Sequence, residues 1–280
     1  MKKNIKIFAG IGAFLLIGLV LYLANGLVGN PVSKLMAKIT ANEYIKENYS
    51  NMNLDSVKVN YSFKTGDYYV DVKSPTSIDT HFTLTISPFG KLEYDSYKHY
   101  VLNKFNTYMR IDSQYSEEVK SIFDNDKFPY KSDIAFGEII DKSTLKDMYD
   151  ESVVSLYGIN TKDLELDKEY DIKEIGKNAG HIVLYIEDNT ITPKRASEIL
   201  LNIKEILDKE NVAFYAIDFI LEKPRKEDGT PNEDNSSIRV EHFLYKDIYE
   251  ENLDKRIEDS YNNLMKYYNE QNLKKEEMNV

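Results

Sequence analysis

The chain is expected to be α+β, with an N-terminal transmembrane helix followed by two small α+β domains. Three observations predict this. Residues Ile7 to Val28 carry no charged side chain, apolar runs of period two cluster in two separate stretches, and apolar stripes of helical period bracket each stretch. A length of 280 residues suits about two domains. Hydrophobic residues at 42% and charged residues at 30% are globular proportions, which excludes whole-chain disorder. The absence of Cys removes thiol catalysis, disulfide scaffolding and Cys-ligated zinc. A net charge of −11 argues against a nucleic-acid partner, because neutralising phosphates supplies most of that affinity.

The anchor comes first, over residues 1–30. As a helix, the uncharged run spans ~33 Å at ~1.5 Å per residue, enough for a hydrocarbon core of ~30 Å. The lipid bilayer is therefore the first expected partner, through residues 7–28. Lys2, Lys3 and Lys6 precede the run; Lys34 and Lys38 follow it. This modest bias predicts a short basic tail inside and the long folded region outside, a single-pass cell-membrane protein with extracytoplasmic C-terminal domains. Ala24-Asn25-Gly26 has the small-x-small form of a signal-peptidase site. The run is longer than a usual signal core and no polar spacer precedes Ala24, which favours a retained anchor.

The first domain is expected over 31–126, in the order αβββ(β)α. Asn30 can cap a helix with Pro31 at its first position, where a missing N–H costs nothing, and this helix should run to about Asn48. Val57, Val59, Tyr61 and Phe63 alternate with polar residues, Thr65-Gly66-Asp67 turns the chain, and Tyr68, Val70 and Val72 alternate back, which reads as a hairpin. Phe82, Leu84 and Ile86 form the next buried face, and Ser87-Pro88-Phe89-Gly90 turns into Leu92 and Tyr94. A long helix is expected from near Ser96, with Tyr97, Val101, Phe105, Tyr108, Tyr115, Val119 and Ile122 on its stripe and Asp112 interrupting it. Phe128-Pro129-Tyr130 is the expected joint.

The second domain, over 127–280, is expected to be a ferredoxin-like βαββα unit after an irregular start. Ile134-Ala135-Phe136 begins with a strand. A helix should run from Thr144 to Tyr157 and stop at Gly158, and Leu164 to Ile175 reads as extended. Gly176 and Gly180 mark a hairpin turn. His181 to Ile186 is a strand, Thr192-Pro193 opens a helix, Val212 to Leu221 is a strongly apolar strand, and Ile238, Val240 and Phe243 form another. Lys223 to Asn235 is an acidic loop. Asp247 and Glu250 have capping-box spacing for a last helix carrying Tyr249, Leu253, Ile257, Tyr261, Leu264 and Tyr268.

Three stretches carry a resemblance: Gly29-Asn30-Pro31-Val32-Ser33-Lys34, Ser74-Pro75-Thr76-Ser77-Ile78-Asp79-Thr80-His81-Phe82, and Phe243-Leu244-Tyr245-Lys246-Asp247-Ile248-Tyr249-Glu250-Glu251. They resemble the YfjL-like proteins of Gram-positive bacteria over nearly the whole chain. The resemblance implies one N-terminal membrane segment and two small α+β domains, and it supplies no catalytic residue. The first domain is also loosely similar to PepSY-type modules in its helix and strand order, a likeness of topology alone.

Four histidines are the main candidates for chemistry. His81 and His99, with Asp79 and Asp95 nearby in sequence, are the most suggestive group, although a metal needs three or four such ligands converging. His181 starts one apolar strand and His242 nears the end of another, so the two could approach if those strands are neighbours. Glu187-Asp188, Asp218 and Glu222 sit at strand ends and could form the carboxylate pair of a hydrolase, although solvated strand ends account for them far more readily. Nucleophile motifs, H-E-x-x-H and phosphate-binding glycine loops are absent in useful context. No catalytic, cofactor-binding or metal-ligating residue is therefore assigned, and no cofactor is expected. The 22 Tyr residues suit half-buried packing or a protein contact, and an envelope protein is the second expected partner. The expected function is a non-catalytic binding or regulatory module of the cell envelope. The competing reading is an envelope hydrolase using a carboxylate pair or a His–carboxylate site.

Overall fold

Two four-stranded sheets follow an apolar N-terminal helix. The computed structural model describes residues 2–148, 156–226, 230, 233–234 and 236–278. Helix α1 is Lys2–Val28, and the helical stretch from Gly10 includes a window of mean hydropathy 2.3, none of which is buried within the protein. It is long and apolar enough to cross a membrane. The chain divides into two compact units, one of residues 1–107 with 164–168, the other of residues 108–163 with 169–280. The expected joint at Phe128-Pro129-Tyr130 falls inside the second unit.

In the first unit, α2 covers Pro31–Asn48, with Pro31 in its first turn and the Asn30 side chain accepting the Val32 N–H at 2.8 Å. The strands β1 (Asp55–Tyr61), β2 (Tyr68–Lys73), β3 (His81–Ile86) and β4 (Leu92–Asp95) form an antiparallel meander in sequence order. Val70, Val72, Phe82, Leu84 and Ile86 pack with Ala37, Ala41 and Ile45 of α2 as one core. The small Ala residues let the helix lie close to the sheet. Two expectations change here. Val57 is the extra residue of a bulge between Ser56 and Lys58, which turns it outward, and Phe63 lies beyond the strand, so both are exposed. The long helix from Ser96 is broken: a π-helical turn over Lys98–Leu102 ends at Lys104, whose φ of 62° cannot continue a right-handed helix, and α3 begins anew as Phe105–Phe123.

In the second unit, β5 (Ala135–Ile139), β6 (Gly180–Glu187), β7 (Ala216–Glu222) and β8 (Ser237–Leu244) lie in that order. The β6–β7 pair is parallel and the two outer pairs are antiparallel. Helix α6, Pro193–Lys209, connects β6 to β7; the Thr192 hydroxyl caps it by accepting the Arg195 N–H at 3.1 Å. β7 is buried along almost its whole length, as a central strand should be. The ferredoxin-like expectation is corrected in one respect. A ferredoxin-like unit splits its β-α-β with an intervening strand, whereas β6 and β7 are direct neighbours.

Other corrections have local causes. The helix expected from Thr144 to Tyr157 is α4, Lys142–Met148; residues 149–155 lie outside the described residues, and Tyr157 is not helical. Gly176 and Gly180 do not form a hairpin turn. Gly176 lies in α5 (Ile172–Ala179) and Gly180 opens β6, both pressed against the Tyr115 ring. Asp112 interrupts its stripe because its carboxylate accepts the Ile139 N–H at 2.7 Å. Asp247 caps nothing: it ends a 3-10 turn over Tyr245–Asp247, and α7 begins six residues later as Leu253–Met278.

Candidate functional site

The four strands of the second sheet all contribute polar side chains to a common row. Glu138 of β5 pairs directly with His181 of β6. Asp218 lies on β7 two residues beyond Ala216, the partner of His181, and so points to the same face. On β8 a bulge opposite Ile217–Phe219 brings Glu241 and His242 into the row, with His242 at φ 49°. Such bulges re-aim a side chain, and positive φ at a non-glycine residue is local strain.

Contacts along the row are short. His181 Nδ1 meets Glu138 Oε1 at 2.9 Å, and His181 Nε2 meets Asp218 Oδ1 at 2.9 Å. Asp218 Oδ1 also accepts the backbone N–H of His242 at 2.6 Å. His242 Nδ1 lies 2.9 Å from the Tyr157 hydroxyl, and the two imidazole rings stack 4.8 Å apart. Tyr157 stacks in turn on Tyr215 at 4.6 Å. Glu241, next to His242, accepts the Tyr268 hydroxyl at 2.8 and 2.9 Å.

Electrostatics divides the two histidines. Burial alone would push His181 down, but hydrogen bonds and attraction from Asp218 and Glu138 outweigh it and raise its pKa to about 9. Both ring nitrogens then donate, which only the imidazolium can do. His242 is pushed down to about 4, first by burial and then by the neighbouring His181 cation against the pull of Asp218. Asp218 is held below its ordinary value: burial opposes this, but the His181 hydrogen bond and charge prevail. Burial raises Glu241. The row is therefore a cation between two carboxylates, stacked on a neutral imidazole. His181, Asp218 and His242 each offer a ligand atom within 4.8 Å of the others.

The remaining candidates are dispersed. Asp95 accepts the hydroxyls of Tyr44 and Tyr49 at 2.9 and 2.5 Å and the Tyr97 N–H at 2.8 Å. Asp79 is buried and accepts the Thr107 hydroxyl and the Asp167 N–H. His99 packs against Tyr100 and Phe105. Among the described residues, His81, His99, Asp79 and Asp95 form no ligand cluster. Glu187 pairs with Lys131 and Asp188 with Arg195. Glu222 pairs in register with Glu187, four residues along β7 from Asp218, or roughly 13 Å away at ~3.3 Å per residue. These acids thus share no cleft with Asp218. Glu138 and Tyr157 escaped the sequence reading. Glu138 follows the alternation of an ordinary strand, and only the β5–β6 register gives it meaning.

Comparison with known proteins finds two domain types in order along the sequence. The YfjL-like N-terminal domain matches residues 2–96, and the YfjL-like C-terminal domain matches residues 114–258. Neither match is to a PepSY module, so that looser likeness gains no support. No curated protein matches the chain. A crystal structure of a DUF5037 family protein from Ruminococcus gnavus ATCC 29149 aligns over 79% of this chain and 98% of that one, at 13% identity and a TM-score of 0.24, a likeness that carries no structural argument. With both domain types matched in order along most of its length, the chain belongs to the YfjL-like family.

Proposed function

We propose that this protein is a membrane-anchored binding or regulatory module, with α1 crossing the bilayer through residues 7–28 and both folded units on the extracytoplasmic side. One observation carries the reading: the described side chains of α1 present an apolar surface that the protein leaves uncovered, with Phe14 at 78% exposure and Leu15 at 66%. Such a surface needs hydrocarbon around it. The basic residues Lys2, Lys3 and Lys6 before the span favour the cytoplasmic side for the N-terminus. An envelope protein is the partner such a tethered module would engage.

The chemistry of the polar row supports binding over catalysis. A general acid or base works best with a pKa near the operating pH. His181 at about 9 is committed as a cation to two carboxylates, and His242 at about 4 stays neutral. Neither is tuned for proton transfer near neutrality.

The test is fractionation of cells making the full-length chain, followed by protease treatment of protoplasts. The expected result is a membrane-bound protein whose folded units are digested from outside. A soluble product beginning at Leu27, or digestion only after lysis, overturns the anchor or its orientation respectively. Crosslinking in intact cells then identifies what is bound.

A further inference from the structure

We propose that His181, Asp218 and His242 form a binding site for a divalent first-row cation of the zinc type, with Glu138 and Tyr157 engaging Nδ1 of the two imidazoles. The three ligand atoms lie within 4.8 Å of one another. A tetrahedral zinc with bonds of about 2.0–2.2 Å needs ligand atoms roughly 3.3–3.5 Å apart, so closure requires side-chain movements on the order of 1 Å together with rotation of one imidazole out of the stack, because near-parallel rings cannot both turn in-plane lone pairs on one ion. His181 Nε2 and Asp218 Oδ1 already stand 2.9 Å apart.

Three further features fit a cation. First, metal-binding histidines characteristically hand their other ring nitrogen to a fixed partner, often a carboxylate. His181 Nδ1 faces Glu138 Oε1, and His242 Nδ1 faces the Tyr157 hydroxyl, each at 2.9 Å. With Nδ1 of each ring engaged by those partners, Nε2 is the nitrogen that each imidazole would turn to the ion. Second, Asp218 Oδ1 holds the His181 ring and the His242 backbone N–H, whereas Oδ2 has no hydrogen-bond partner among the described residues. Oδ1 can keep the bond from the His242 backbone N–H while Oδ2 is offered to the ion, the His181 Nε2 contact giving way to the metal. Third, Glu138, Asp218 and Glu241 gather three carboxyl groups beside the two imidazoles, a surplus of acceptors that a divalent ion balances. Access exists: the Asp218 side chain is 18% exposed and that of Glu138 43%, while His181 is 4% exposed. Two imidazoles and one carboxylate are a donor set for zinc-type ions and not for calcium or magnesium, which take all-oxygen sites. Three protein ligands leave a coordination position for water or another group. This assignment does not depend on the membrane reading.

The experiment is a titration of the full-length protein in detergent with Zn²⁺ alone, and with Co²⁺ followed by its visible absorption. The expected result is one equivalent bound with micromolar or tighter affinity, with a tetrahedral Co²⁺ spectrum that Zn²⁺ abolishes and with proton release. His242→Phe, which keeps the ring stack, should weaken binding at least 100-fold, and Glu138→Gln by about 10–100-fold. His99→Phe, outside the cluster, should bind as the parent does. No stoichiometric binding by the parent protein, whose fold is not in question, overturns the proposal. So does unchanged affinity in a His242→Phe variant that melts cooperatively, since the ion would then sit elsewhere.

Discussion

The imidazoles of His181 and His242 stack at 4.8 Å with 17° between their planes, and they hold opposite protonation states. His181 keeps its proton because two carboxylates face its two nitrogens. That cation, together with burial, keeps its neighbour neutral.

This pairing fixes the pH dependence of stability. The His181 pKa is raised from 6.5 to about 9, so its contribution is full below pH 6.5 and is lost as pH rises toward 9. The His242 pKa is lowered from 6.5 to about 4, so its contribution is full above pH 6.5 and is lost as pH falls toward 4. Asp218, held low, adds to the loss on the acid side only at lower pH still. Stability should therefore peak near pH 6.5 and fall by a few kcal/mol on each side. Urea unfolding of the metal-free protein at pH 5, 6.5 and 9 measures this. A profile that is flat from 6.5 to 9 would show that His181 is not held as a cation. In His242→Phe the acid limb should shrink while the alkaline limb stays.

Tight packing around Tyr115 gives a second expectation. A Cβ on Gly180 would lie 2.5 Å from both the Tyr115 hydroxyl and the Gly176 carbonyl oxygen, and that hydroxyl is itself bonded to the Ala213 carbonyl at 3.1 Å. Backbone cannot yield cheaply, so Gly180→Ala should cost about 1–3 kcal/mol in chemical denaturation. Combining it with Tyr115→Phe should recover part of that cost, because the hydroxyl contact disappears while the ring carbon at 2.8 Å and the Gly176 carbonyl at 2.5 Å remain. Purely additive effects would mean that the ring moves aside instead.

A third expectation concerns the start of the folded region. The Tyr68 hydroxyl accepts the Asn30 N–H at 2.7 Å and donates to the Asn30 carbonyl at 3.1 Å, and the Tyr61 hydroxyl reaches the Gly26 carbonyl at 3.2 Å. The end of α1 and the start of α2 are thereby tied to the first sheet. Tyr68→Phe leaves both Asn30 groups without that partner and should cost on the order of 1 kcal/mol. Hydrogen exchange at Asn30 should rise with it. Unchanged protection there would show that water replaces the hydroxyl without loss.

How far the sequence could be read follows from the range of each interaction. Asn30-Pro31 and Thr192-Pro193 are local signals, and both helix starts lie where they place them. The four-stranded meander follows from alternation and turns between adjacent strands. The break at Asn103–Lys104 has no Pro or Gly to mark it, and the apolar stripe runs across it unchanged. The polar row depends on register between strands far apart in sequence. His181 and His242 were visible as ends of two apolar strands, but β7 separates those strands, and only Asp218 and the β8 bulge bring the rings together. Glu138 carried no local signal. The βαββα order follows from local signals, but the adjacency of β6 and β7, which departs from a ferredoxin-like sheet, does not, because strand order is a property of the whole sheet.

The last expectation reverses what spacing suggests at Asp247 and Glu250. A capping box would make Asp247 worth about 0.5–2 kcal/mol. In the structure, Leu253 begins the helix, and Arg256 organises the approach to it. The Arg256 guanidinium donates to the carbonyls of Asp247 at 3.0 Å, Tyr249 at 2.5 Å and Glu251 at 2.5 Å, and lies 3.6 Å from the centre of the Tyr249 ring. It thus satisfies three carbonyls between the end of the 3-10 turn and the start of α7. Arg256→Ala should cost about 1.5–3 kcal/mol, since charge-assisted bonds are the stronger kind. Arg256→Lys should restore only a minor part, because a single ammonium cannot reproduce a planar fork stacked on a ring. Asp247→Ala should change stability by no more than about 0.5 kcal/mol, because only its backbone carbonyl takes part. Thermal and urea unfolding of the three variants give the ordering directly. If Asp247→Ala proves as damaging as Arg256→Ala, the Asp247 carboxylate, and not the Arg256 fork, holds this segment in place.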